Sequence, residues 1–209
     1  MDTDVVQVVA HYVEKTMGRE GFRYVSAVVA NCKMLAVQLE MQEDHPVLLD
    51  TDALVIAAYL HDISTVAHGF QNHHVKSSEI AADFLRGCDV SEDCIAKVQQ
   101  AILMHTTVVL QQDRGEITEG QVLYDADKLG RLSGLAVVTS LIEFGVRYPN
   151  QAVTGEVLTA LLRHIEERFI ELYQSLYTPP AREMAREKFH STLAFLDGVI
   201  EHLSDATPV

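Results

Sequence analysis

The residues best suited to chemistry stand in the string Tyr59-Leu60-His61-Asp62-Ile63, where an imidazole and a carboxylate adjoin at the end of an apolar run. Burying that carboxylate without compensation is expensive. A divalent cation offsets the cost, because carboxylate oxygen and neutral imidazole nitrogen both bind Mn, Fe, Co, Ni or Zn. Taken alone, the pair also suits a helix C-terminus, where a histidine caps carbonyls and complements the dipole. Further candidates follow along the chain. His74 opens a helix-like segment, His105 closes Ala101-Ile102-Leu103-Met104, and Asp127 lies in Tyr124-Asp125-Ala126-Asp127-Lys128-Leu129. Singly, these read equally as a surface histidine, a helix-ending histidine and a solvated acidic turn.

The elements that must position these residues are helices. Phe22, Val25, Val28, Val29, Cys32, Leu35, Ala36 and Leu39 recur at the three- and four-residue steps of one apolar helical stripe. His11 falls upstream, in a separate first helix. Asp50 or Thr51 caps the next helix, whose run Leu54 to Leu60 is apolar on nearly every face and belongs in the interior. A polar loop with Gly69 then reaches toward His74 as a lid. A helix from about His73 to Leu85 follows, then one capped by Ser91 that reaches about His105, and two more around Asp127 and Leu141. After Pro149, Leu158, Leu161, Ile165, Phe169, Leu172 and Leu176 form another stripe, and Thr178-Pro179-Pro180 interrupts the chain before a last one through Leu203. The expected fold is all-α, one domain over residues 1–209 with a core of about 20–132 and a helical extension of about 133–204. The tail Asp205 to Val209 is expected to fray.

Charge narrows the function classes. Lys and Arg number 16 against 30 Asp and Glu, a formal net charge of −14. A chain this acidic repels a nucleic-acid backbone, so a nucleic-acid polymer is not the expected partner. A phosphorylated substrate would need bound cations for much of its attraction. The N-terminal MDTDVVQVVAHYVEK has no basic start ahead of an uninterrupted apolar run, so neither signal peptide nor membrane span is expected and the location reads as cytoplasmic. The three cysteines read as reduced thiols, since Cys88 and Cys94 are too isolated for a zinc knuckle.

In their order, these residues resemble the HD-domain metal-dependent phosphohydrolases, especially compact bacterial members. Ala57-Ala58-Tyr59-Leu60-His61-Asp62-Ile63 looks like the helix that supplies that family's defining dyad. His74-Val75-Lys76-Ser77-Ser78-Glu79-Ile80-Ala81 is similar to its next histidine string, Ile102 to His105 to its Ile-x-x-His element, and Ala126-Asp127-Lys128-Leu129 to its closing aspartate string. Thr178-Pro179-Pro180-Ala181-Arg182-Glu183-Met184-Ala185 resembles its tail.

The resemblance implies one or two divalent ions, with Mn, Fe, Co, Ni, Mg and Zn all suited. Asp62 would bridge them, His61 and Asp127 would complete one, and His74 and His105 would hold the other. It further implies metal-activated water attacking a small phosphorylated substrate such as a nucleotide, with Lys128 neutralising a phosphoryl oxygen. Asp125 would orient a ligating imidazole. His68 and His73 flank the dyad loop, where assistance in proton transfer is open to them but is not the expected role.

One position departs from the pattern. Tyr24 occupies the place of the family's first ligand histidine, Ala27 replaces its arginine, and no histidine lies between Met17 and Lys33. A phenol ionises only near pH 10 unless a metal acidifies it, so Tyr24 reads as a ligand, as a hydrogen-bond donor, or as packing. Two further functional readings follow from the fold resemblance: a non-catalytic HD protein binding a metal or nucleotide, and a di-iron oxygenase.

Overall fold

The computed structural model of the chain describes residues 3–42, 46–106 and 116–205. Among them the regular structure is helical throughout, without strands: α1 Thr3–Glu40, α2 Thr51–Leu60, α3 Thr65–His68, α4 His73–Arg86, α5 Glu92–Met104, α6 Glu119–Leu129, α7 Gly134–Arg147, α8 Gly155–Ser175 and α9 Pro179–Asp205. The all-α expectation holds. Residues 206–209 of the expected frayed tail lie outside the described residues. No single helix among those described is long and apolar enough to cross a membrane.

The chain divides into two compact units, Met1–Asp127 and Lys128–Val209. In the first, α1 is two helical segments joined at Gly18, whose φ of 72° is left-handed and disfavoured for any residue with a Cβ. His11 and Tyr24 therefore stand on different segments, as the sequence suggested. The second segment buries Val25, Val28, Val29, Cys32, Leu35, Ala36 and Leu39, the stripe its periodicity required.

α2 is the central rod of this unit, packed against α1, α4 and α5. Its start is fixed by Asp50, whose carboxylate accepts the Ala53 N–H at 3.1 Å and takes Lys97 Nζ at 2.7 Å. The bond from Lys97 holds the Asp50 carboxyl below its ordinary range. Ala53 through Ala58 and Leu60 are all buried, so α2 cannot rotate or slide without exposing apolar surface. Fully burying one Leu or Ile is worth about 1.5–3 kcal/mol, which makes α2 the firmest support for the dyad at its end. α5 begins at Ser91, whose hydroxyl accepts the Cys94 N–H at 3.4 Å.

The polar loop after the dyad holds one element that periodicity does not show, the single turn α3. It ends at Gly69, with φ 64°, whose N–H bonds the Thr65 carbonyl at 3.1 Å. In the second unit, Val137, Leu162, Ile165, Leu196 and Ile200 join α7, α8 and α9 in one apolar cluster. Tyr173 stacks on Phe189 with ring centroids 4.0 Å apart.

Candidate metal centre

His61 is the residue at which α2 ends. There the ring turns back and donates Nδ1–H to the carbonyl of Ala58, 2.8 Å away, so the tautomer is fixed and Nε2 points inward. His105 ends α5 in the same manner, with Nδ1 on the carbonyl of Ile102 at 2.5 Å. His73, the first residue of α4, repeats it on the carbonyl of Phe70 at 2.9 Å. Three imidazoles are thus aimed by the same bond to the main chain three residues back.

They are aimed at Asp62. His61 Nε2 lies 3.4 Å from Asp62 Oδ2, while His73 Nε2 and His105 Nε2 lie 3.4 and 3.9 Å from Oδ1. His61, Asp62 and His105 each offer a ligand atom within 4.8 Å of the others, and all three residues are buried. Among the described residues, buried His61 Nε2 and Asp62 Oδ1 meet no hydrogen-bond partner. Native interiors leave few such atoms, and each demands a reason. Nitrogen and carboxylate lone pairs converging on one point fit a divalent ion, so the donor set agrees with the metal that the sequence implied.

Asp127, on α6, is 1 % exposed, and its charge acts on His61, Asp62 and His105. One of its oxygens, Oδ1, accepts a hydrogen bond from the Tyr24 hydroxyl. The Tyr24 ring lies 6.3 Å from that of His61. Of the three roles open to Tyr24 in the sequence, the observed contact is that of a donor to a carboxylate.

The histidine at the start of α4 differs from expectation. His73, not His74, brings Nε2 to Asp62, and it also lies 3.2 Å from His105 Nε2. His74 is partly buried beside His73, at a ring separation of 5.8 Å, and has no ion pair with Asp62. The cause is local. Ser64, just past the dyad, donates its hydroxyl to the His73 carbonyl at 3.1 Å and accepts from Ser77 Oγ at 3.0 Å, pinning the first turn of α4. Adjacent helical residues point about 100° apart, so one ring enters and the next does not. The doublet His73-His74 after Asn72, a left-handed residue at φ 54°, was the available signal.

Asp125 is fully buried on α6, and its charge acts on Cys32. Burial first, then Asp127 and Asp125, push the Cys32 thiol far up, so it remains protonated. Lys128 is mostly buried in the last turn of α6 and is the first residue of the second unit.

The electrostatics sort the histidines into two kinds. Burial pushes His61 down, but the negative charges of Asp62 and then Asp127 outweigh it, and His61 is held above its ordinary value. His105 is lowered to about 3 by burial and then by the charge of His61. Asp62 resists burial through His61 and is held below its ordinary range. His74 is lowered by burial and by His73. Asp62 and Asp127 thus favour a proton on His61, while burial keeps one off His105.

Comparison with known proteins places this site in context. The family model described as HD domain matches residues 25–132. None of the curated proteins matches the sequence. Among solved structures, a protein from Lactobacillus plantarum is 17% identical, with 97% of this chain and 98% of that chain covered and a TM-score of 0.69. A HD-superfamily hydrolase from Bacillus thuringiensis is 16% identical, covering 97% and 98% at a TM-score of 0.68. Bacillus subtilis YpgQ, solved in complex with ADP, is 18% identical, covering 94% of each chain at a TM-score of 0.65. These likenesses are of fold.

Proposed function

The chain belongs to the HD-domain family, and from that premise we propose that it is a metal-dependent phosphohydrolase acting on a nucleotide or another small phosphoester. The observation that carries the proposal is the pair of buried atoms His61 Nε2 and Asp62 Oδ1, which meet no hydrogen-bond partner among the described residues and converge with His105 Nε2. The proposed ligands are His61, Asp62, His105 and Asp127. His73 is nearer to them than His74 and is the better candidate for any further coordination.

A divalent ion held there supplies acidified water and positive charge against the phosphoryl oxygens. The residues of the chain supply the rest. The backbone bonds of His61 and His105 present Nε2 in the neutral, binding form, and Asp62 stands between the imidazoles from both sides. Buried Asp62 and Asp127 would repel a phosphate on their own, so binding of an anionic substrate depends on the cation. The ADP complex of Bacillus subtilis YpgQ supports a nucleotide as the ligand class. Lys128 remains a candidate for phosphoryl contact, by its place next to Asp127.

The test is elemental analysis of the purified protein together with hydrolysis of nucleotides and generic phosphoesters in the presence of each divalent ion. Stoichiometric metal with ion-dependent release of phosphate or nucleoside is expected. Metal without hydrolysis of any phosphoester would favour the second reading, a non-catalytic metal or nucleotide binder. That reading draws on one observation, the phenol at the position where the family pattern has an imidazole.

A further inference from the structure

Tyr24 and Asn31 are seven residues apart on α1, two turns along the same face. Both reach α6, and they reach adjacent residues. The Tyr24 hydroxyl donates to Asp127 Oδ1, and Asn31 Nδ2 donates to the carbonyl of Ala126 at 3.1 Å. One bond takes the side chain of the carboxylate and the other takes the main chain beside it. Together they fix both where Asp127 sits and how its carboxylate is turned.

From this we infer that Tyr24 is a positioning residue: a neutral phenol that orients the Asp127 carboxylate toward the centre formed by His61, Asp62 and His105, and not itself a ligand of the ion. The inference rests on the metal-site reading above. An O–H donated to a carboxylate belongs to an un-ionised phenol. The substitution of phenol for imidazole thus exchanges one direct ligand for a tighter hold on another.

Zinc affinity, measured by competition with a chromophoric chelator, is the probe. Tyr24→Phe keeps the ring and removes the donor, and is expected to weaken zinc binding ten- to a hundredfold, the usual cost of losing a partner behind a metal ligand. A packing role, which the phenylalanine ring preserves, would leave zinc affinity intact. In an Asp127→Ala background, Tyr24→Phe should cause no further loss, because its effect passes through that carboxylate. Additive losses, or undiminished affinity in Tyr24→Phe, would overturn the inference while leaving the metal site standing. A second reading uses the unmodified protein: zinc saturation should produce no tyrosinate ultraviolet difference band, and a band abolished by Tyr24→Phe would make the phenol a ligand. A wild-type protein that binds no zinc or other divalent ion would instead remove the metal-site reading on which this one stands.

Discussion

Replacing Asp62 by alanine is the most informative single perturbation of the centre. Its carboxylate is the group on which His61, His73 and His105 converge, at 3.4, 3.4 and 3.9 Å. Four-ligand structural zinc sites are worth about 10–16 kcal/mol, or about 2.5–4 kcal/mol for each ligand. Loss of one ligand should therefore weaken zinc or cobalt binding about a hundred- to a thousandfold. A second change follows in the metal-free protein. His61 is kept above its ordinary value mainly by Asp62 acting against burial. Without that carboxylate burial prevails, and the imidazole should titrate lower, visibly so in its proton NMR resonances. Chelator competition reads the first effect and NMR titration the second, with phosphoester hydrolysis followed on the same samples. Equal metal affinity in wild type and Asp62→Ala would refute the assignment of the ligand set. An unchanged His61 titration would refute the account of the pair's electrostatics.

Three further outcomes are expected. His105 takes up a proton below about pH 6.5 when unfolded but only near about 3 when folded. Its contribution to stability is accordingly lost as pH falls, at up to about 1.4 kcal/mol per pH unit; urea midpoints for His105→Gln should show a flatter acid limb than wild type. His61, raised in the folded state, acts oppositely, its contribution being full below about pH 6.5 and lost as pH rises through its higher folded value. His73→Ala should weaken metal binding more than His74→Ala, and the reverse order in a chelator titration would return His74 to the centre. Asp50→Ala removes the cap of α2 and the partner of Lys97, and should cost about 1–2 kcal/mol in denaturant unfolding.

The helices and the centre were legible in the sequence to different degrees. Apolar stripes marked α1, α8 and α9 because each periodic run has a buried face to satisfy, α2 showed as a run apolar on nearly every face, and Asp50 and Ser91 marked the starts of α2 and α5 through capping side-chain oxygens. His61, Asp62 and His105, which the fold groups, were picked out by their order in family-like strings, since singly each also reads as an ordinary helix-ending residue. His73 was not. Which member of a histidine doublet enters the site depends on the Ser64 and Ser77 hydroxyls setting the first turn of α4, a tertiary contact that no local pattern encodes. The hydroxyl of Tyr24 meets Asp127 across 103 positions of chain, and sequence spacing has no means of announcing such a pairing.

The rings of His61, His73 and His105 are all held from behind by peptide carbonyls and not by side chains. An outer layer made of main chain has nothing for point substitution to erode: almost any residue at 58, 70 or 102 still presents a carbonyl. Its weakness lies elsewhere. Deleting or inserting one residue in the last turn of α2 or α5 would leave the imidazole a carbonyl three residues back but turn the ring about 100° away from the centre, whatever the side chains. Substitution history at these three positions should therefore be permissive in residue type and strict in length, so that lineages losing the centre would do so by frameshift-free insertions near the helix ends as readily as by loss of a histidine.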